Sequence, residues 1–257
     1  QVLTGGVDVQ KDRLVYCVRG WGAGYESWLV QHGELWGETA GAAVWQELAH
    51  LLDTPFGGHP VRLALIDSGY RPGDPDSPTN VVYEFCRRHA GRVLPSKGHD
   101  SQAKPVHVAP IDETVRGRTV SRGLKLVHVD ADYCKQFVYG RLQRPKGEPG
   151  AWHLPADVGE PYAQELTAEA RVVKASGRAT WVRIRRANHV LDCEALNVAA
   201  AHLLNLHLLR PGRGQAPAVT AQDAPQPPPP QPPVPRGPGD WISRSRGAWG
   251  GRAGFVK

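Results

Sequence analysis

The chain has 257 residues, 40% of them apolar, which is enough for one substantial core or for a core with a tail. No apolar run approaches the roughly 18 residues that span a bilayer, and no signal peptide is visible, so the sequence predicts a soluble intracellular chain with no membrane partner. The net charge of +6 is unevenly placed, since residues 211–257 hold six Lys/Arg against two Asp/Glu, and the basic balance alone therefore says little about nucleic acid.

In chain order, Val2 to Val9, Leu14 to Trp21 and Glu26 to Glu34 read as three strands joined by the tight turns QKDR and GAGY, an antiparallel meander with Asp8 closing its first strand. Val44, Trp45, Leu48, Leu51 and Leu52 recur at helical spacing and predict a helix over 42–52. The run VRLALID, continuously apolar up to Asp67, predicts a strand inside the sheet. After the loop SGYRPGDPDSPT, residues 80–89 read as a helix capped by Asn80 and stopped by Gly91. A short strand over 93–95 ends beside Lys97, and residues 98–123 read as irregular and basic.

Asp130 to Gln143 makes an amphipathic helix through Tyr133, Cys134, Phe137, Val138 and Leu142. Strands at about 171–175 and 180–185 turn at Ser176 and Gly177, and a helix runs from Asn188 to about Leu208. From Pro211 the composition shifts to Pro, Gln and Gly with PPPP at 227–230, which cannot offset ordering entropy and predicts a mostly disordered tail over 211–257 after a domain of residues 1–210. A meander, a helix, and then strands alternating with helices is the order of a ribonuclease H-like α/β fold, a central mixed sheet flanked by helices. Cys17, Cys86, Cys134 and Cys193 lie far apart inside apolar patterns with no CxxC, as reduced core thiols would. The absence of methionine and the start within a strand predict an excised fragment.

The chemistry lies in three aspartates. Taken singly, Asp8, Asp67 and Asp192 read as turn residues or helix caps. All three stand at the ends of core elements, where ligands of α/β sheets bind. Clustered buried acids need a cation between them, and oxygen donors select hard ions such as Mg²⁺ or Mn²⁺. Two such ions serve phosphodiester hydrolysis, one activating water and one stabilising the leaving oxygen.

On the last helix, Ala195, Leu196 and Ala199 follow Asp192 at spacings that turn the aspartate toward the sheet, with Cys193 and Glu194 directed elsewhere. His189 shares the Asp192 face, within reach of a metal-associated water or a phosphate, although a histidine at a helix start also serves as a cap or packs. Lys97, Lys104, Arg116, Arg118 and Arg122 form one basic cluster and Arg183, Arg185 and Arg186 another; Lys97, Arg185, Arg186 and His189 are the candidate DNA contacts.

GGVDVQKDRLVYCVRGWGAGYESW, LALIDSGY, HLPADVGEPYAQELTAE and the LDCE of the alanine-rich helix together resemble the nuclease domain of lambda-like phage terminase large subunits, the GpA family, over about residues 2–207. The resemblance implies a metal-dependent endonuclease that cuts concatemeric viral double-stranded DNA during packaging in the host cytoplasm, with two Mg²⁺ or Mn²⁺ ions on Asp8, Asp67 and Asp192. It implies a phosphate contact at Lys97, a small terminase subunit as partner, and docking of the extreme C-terminus on the portal of the procapsid. The aromatic-dotted end beyond the proline spacer (Trp241, Trp249, Phe255) suits that docking, and equally suits an inert linker. The family commonly has Asn-Glu where this chain has Asn188 and His189, and no GxxxxGK[ST] phosphate loop occurs here. A junction resolvase or transposase-like nuclease of the same fold, and a catalytically silent docking module, are the alternatives.

Overall fold

A computed structural model of the chain describes residues 1–69, 80–115, 118–145, 147–177 and 179–210, with 113–115 and 118–122 by backbone only. Its elements are β1 (Val2–Val9), β2 (Arg13–Trp21), β3 (Ser27–Trp36), α1 (Ala43–Asp53), β4 (Val61–Asp67), α2 (Val81–Arg88), β5 (Val93–His99), β6 (Val106–Val115), β7 (Arg118–Asp130), α3 (Ala131–Leu142), β8 (Trp152–His153), α4 (Glu160–Leu166), β9 (Glu169–Val173), β10 (Ala179–Arg183) and α5 (His189–Leu203). Eight of the strands form one mixed sheet in the order β6-β7-β5-β4-β1-β2-β3-β8, and β9 pairs with β10 apart from it. β1, β2 and β3 are the antiparallel meander, and β4 and β5 add to β1 in parallel. The arrangement is that of a ribonuclease H-like fold. Among the described residues no helix is long and apolar enough to cross a membrane.

Side chains on a strand alternate between faces, and that alternation sorts the two layers. Leu3, Val7 and Val9 of β1, with Ala64 and Ile66 of β4, pack under α1 and α2. Leu63 and Leu65 of β4 and Val15 and Cys17 of β2 face α5, in the layer that also takes in α3 and α4. On β1 the residues turned to that layer are Thr4, Gly6 and Asp8: Thr4 bonds Asn197 of α5, and a Cβ added to Gly6 would lie 2.0 Å from the Cys193 carbonyl oxygen. The missing side chain lets α5 lie directly on β1.

α5 has no solvent face over most of its length, since Val190, Leu191 and every residue from Cys193 to Ala201 are buried. This corrects the expectation that Cys193 and Glu194 point elsewhere than the sheet: Cys193 Sγ donates to the Val15 carbonyl of β2 at 3.2 Å. Glu194 is fully buried and takes a bidentate bond from Arg19 of β2, Nη2 to Oε1 at 2.7 Å and Nε to Oε2 at 2.9 Å. The Tyr162 hydroxyl donates to the same carboxylate, and the guanidinium lies 3.6 Å over the Trp152 ring. Asn197 bonds the Cys17 carbonyl at 3.1 Å and completes a polar wedge that fixes the helix in register on the sheet. The helix ends where Asn205 turns left-handed at φ 53°, several residues before the expected end.

The Asn80 cap holds, its side chain accepting from the Tyr83 N–H at 3.2 Å, and all four cysteines are buried and outside any disulfide. Most of the described residues in 98–123 are strand, which corrects the expectation of an irregular stretch; only 100–105 among them lack regular structure. β5 runs on to His99, and β6 and β7 form a long antiparallel hairpin on the sheet's edge. Apolar residues on both faces of β7 are buried, Leu124 in one layer and Val127 and Val129 in the other, but the interspersed prolines, histidines and charges of an edge hairpin masked the strand pattern. β8 and α4 went unpredicted because each is short. The tail expected over 211–257 lies outside the described residues, as does most of the loop after Asp67.

Candidate active site

β1 and β4 run in parallel with Val7 beside Ile66, so Asp8, next to last in β1, and Asp67, last in β4, follow that pair on the face toward α5. α5 enters over this point with Asp192 in its first turn. Each acid is held by a different donor set. Asp8 Oδ2 is met by His189 Nδ1 at 2.7 Å and by the Gln10 amide at 2.8 Å, and Asp67 Oδ1 accepts from the Gly69 N–H at 3.0 Å. Asp192 Oδ1 pairs with Lys135 Nζ at 2.9 Å, and its Oδ2 accepts from the Asn188 amide at 2.9 Å.

The electrostatics record the convergence. Burial is the main force pushing the Asp67 carboxyl up to about 6, and repulsion from Asp8 and Asp192 adds to it. Asp192 is likewise raised, chiefly by burial and then by Asp8 and Glu169, against the pull of Lys135. The His189 imidazole is raised by its bond to Asp8. Lys135 is raised because Asp192 and Glu169 outweigh its own burial.

Lys135 and Glu169 are the residues that sequence reasoning missed. Lys135 Nζ reaches both oxygens of Glu169, at 2.9 and 2.8 Å, and Asn188 bonds Glu169 Oε1 at 2.6 Å, so α3, β9 and α5 are tied together at Asp192. A signal for Lys135 existed: it stands between Cys134 and Val138 on the buried stripe of α3, where a lysine needs an acid partner. Glu169 closes the QELTAE run, one of the stretches that carried the resemblance.

Of the candidate DNA contacts, His189 lies at the acids. Lys97 is exposed, next to Ser96, the residue that pairs with Asp67 in the sheet. Arg185 is tied to the Thr167 carbonyl at 2.6 Å, and Arg186 is exposed. Lys104 and Arg183 are exposed too, Arg116 lies outside the described residues, and the side chains of Arg118 and Arg122 are not described. Beside Lys135 and Glu169 a cleft opens, walled by Asp132, Arg171, Thr180 and Trp181. Asp132 receives Arg171 Nε and Trp181 Nε1, each at 2.8 Å, and so fastens the β9–β10 hairpin to α3.

The donor set fits a hard divalent cation: three carboxylates that repel one another, and the Asn188 Oδ1, buried with no hydrogen-bond partner among the described residues. As the side chains lie, no group of three or more His, Cys, Asp or Glu among the described residues is close enough to hold a metal ion, so binding one requires Asp8, Asp67 and Asp192 to draw together. Lys135 and His189 occupy the lone pairs that face them.

The family profile described as "Terminase large subunit gpA, endonuclease domain" matches residues 1–213. The chain belongs to that family. It is 32% identical over 217 residues to the terminase large subunit of Escherichia phage lambda, covering 78% of this chain and 32% of that protein. It is 29% identical over 218 residues to the terminase large subunit of Enterobacteria phage P21, covering 77% and 32%. The chain thus spans about a third of the length of these curated relatives. The crystal structure of the large terminase nuclease from thermophilic phage G20c is similar at 14% identity with a TM-score of 0.44, over 76% of this chain and 80% of that one.

Proposed function

We propose that this terminase-family domain is a metal-dependent endodeoxyribonuclease, with Asp8, Asp67 and Asp192 as the ligands of two divalent ions, Mg²⁺ or Mn²⁺. The observation that supports this reading is that carboxylates from β1, β4 and α5 lie within electrostatic reach of one another, Asp8 and Asp192 adding to the rise that burial gives Asp67. Bound there, the ions would supply an acidified water as nucleophile and Lewis-acid stabilisation of the leaving 3′ oxygen.

The chain's own residues prepare the site. Lys135 and Asn188 fix both oxygens of Asp192, and His189 and Gln10 fix Asp8. His189 stands in this chain where the family commonly has an acid, and its bond to Asp8 gives it an orienting role. Backbone-directed contacts without base reading make the domain cut with little sequence preference, so site choice falls to partners, chiefly a small terminase subunit. The substrate is concatemeric viral double-stranded DNA in the host cytoplasm, and the C-terminal tail would dock on the portal of the procapsid. Plasmid cleavage in Mg²⁺, Mn²⁺, Ca²⁺ and chelator, run on this chain and on Asp67→Ala, tests the proposal. Nicking is expected with Mg²⁺ or Mn²⁺, poorly with Ca²⁺, and not with the variant; cutting that survives EDTA refutes it.

A further inference from the structure

Outside the acid cluster, a second concentration of titratable groups crosses the sheet on its opposite face. Lys97 of β5 pairs in register with His128 of β7, and His128 with His107 of β6, so three adjacent strands place a lysine and two imidazoles in one row. His99, two residues beyond Lys97 and on the same face, completes it. His107 stacks on His128 with centroids 4.5 Å apart and planes 8° from parallel. His99 Nε2 and His128 Nδ1 are joined by a 2.8 Å hydrogen bond. Lys97 and His107 are exposed.

Each group that acts on His128 electrostatically is a base, namely His107, His99 and Lys97, and together with burial they depress its pKa. Asp130 accepts from the Gln102 and Tyr133 N–H groups, and Asp100 lines the cleft on the far side. Gln102 bonds the His128 carbonyl, and Lys104, exposed on the same connecting segment, adds another positive charge.

A row of this kind repels cations and invites anions. Two ring nitrogens are spent on the His99–His128 bond, and Lys97 opposes a metal. The bond holds one proton between two rings; a second proton would set like charges about 3 Å apart, which an anion stabilises. The anion is indicated by position. β1, β4, β5 and β7 run parallel, and Lys97, His99 and His128 stand near the ends of β5 and β7, so the row lies on the other face but at the same edge of the sheet as Asp8 and Asp67, where a duplex laid across that edge reaches both. We propose that Lys97, His99, His107 and His128 form a proton-coupled seat for the DNA phosphate backbone, an inference that rests on the nuclease reading.

Seating a phosphate takes up protons, so affinity rises as the pH falls through the imidazole range. The test is equilibrium binding of a fluorescent duplex by the intact chain in chelator, at pH 6.0 and pH 8.0 over a KCl series, with His107→Gln, His99→Gln/His107→Gln and Lys97→Ala alongside. Wild type is expected to bind about ten-fold tighter at pH 6.0, with a salt slope steeper by about one. The double variant should lose most of that gain while its thermal melt is unchanged, and Lys97→Ala should weaken binding at both pH values. A double variant that keeps the full pH gain overturns the seat, as does a gain that needs added Zn²⁺. Flat pH dependence in a wild-type chain that still cuts plasmid overturns the seat alone; absence of DNA binding at both pH values overturns it together with the nuclease reading.

Discussion

Two carboxylates stand two residues apart on α5, and the chain treats them in opposite ways. Glu194 is sealed in the core with a bidentate guanidinium and a phenol, every lone pair accounted for by a strong donor. Asp192 has one ammonium and one amide, shares the ammonium with Glu169, and faces Asp8 and Asp67. A buried ion pair satisfied on all sides specifies a packing arrangement, whereas acids left to repel one another store a demand for a cation. The same helix therefore carries a structural charge and a chemical one, and the spacing of two residues turns them to different neighbours.

The contrast breaks most visibly in cleavage. Asn in place of Asp8, Asp67 or Asp192 is expected to lower metal-dependent plasmid cutting by at least about three orders of magnitude, on the order of 4 kcal/mol of transition-state stabilisation, while the melting temperature in chelator holds or rises. Near-normal cutting by any one of these variants would remove that residue from the site. Glu194→Gln should do the reverse, costing about 3 to 5 kcal/mol in urea unfolding because Arg19 is left charged in the core. A variant of normal stability with no cutting would show that the wedge does more than pack.

Lys135→Met sharpens the comparison, since Lys135 serves Glu169 and Asp192 together. A loss of about 2 to 3 kcal/mol in chelator is expected, partly recovered by Mn²⁺ as a replacement cation. Equal loss with and without Mn²⁺ would assign Lys135 to packing alone.

The pH dependence of stability has a definite sign. The Asp67 carboxyl is raised from 3.8 to about 6 in the folded chain, so between those values the folded state keeps a proton that the unfolded state has lost. Stability from that proton is present below about pH 4 and gone by about pH 6, a fall of about 2 to 3 kcal/mol in chelator. Asp67→Asn should flatten this stretch of the curve and melt higher at pH 7. The smallest effect is expected from deleting residues 211–257, which should leave cutting of naked DNA within a few-fold, because the three acids and their supporting elements all precede Pro211. Loss of cutting at every salt concentration would place part of the tail over the site.

The places of Asp8, Asp67 and Asp192 near the ends of their elements were legible in the sequence because periodicity marks those elements plainly: GGVDV, VRLALID and the start of the alanine-rich helix. Their supports were not. Lys135 and Arg19 are charged residues inside apolar patterns, and a single sequence does not show which partner across the fold neutralises them. The burial of Glu194 was misread because a helix covered on all sides has no polar stripe to orient it. The β6–β7 hairpin was missed because an edge carrying basic and hydroxyl residues looks like a loop until its pairing partner is known. The imidazole row followed from that miss, since His99, His107 and His128 meet only through strand register.

The parallel pairing of β1 and β4 has a consequence for how the domain fails. Asp8 and Asp67 owe their proximity to backbone hydrogen bonds in the middle of an eight-stranded sheet, with two further strands or more on either side of that pair. Such pairing is given up cooperatively or not at all. The distance between the two acids therefore does not drift as denaturant is added; the geometry persists until the sheet opens, and loss of metal affinity and loss of fold should share one midpoint.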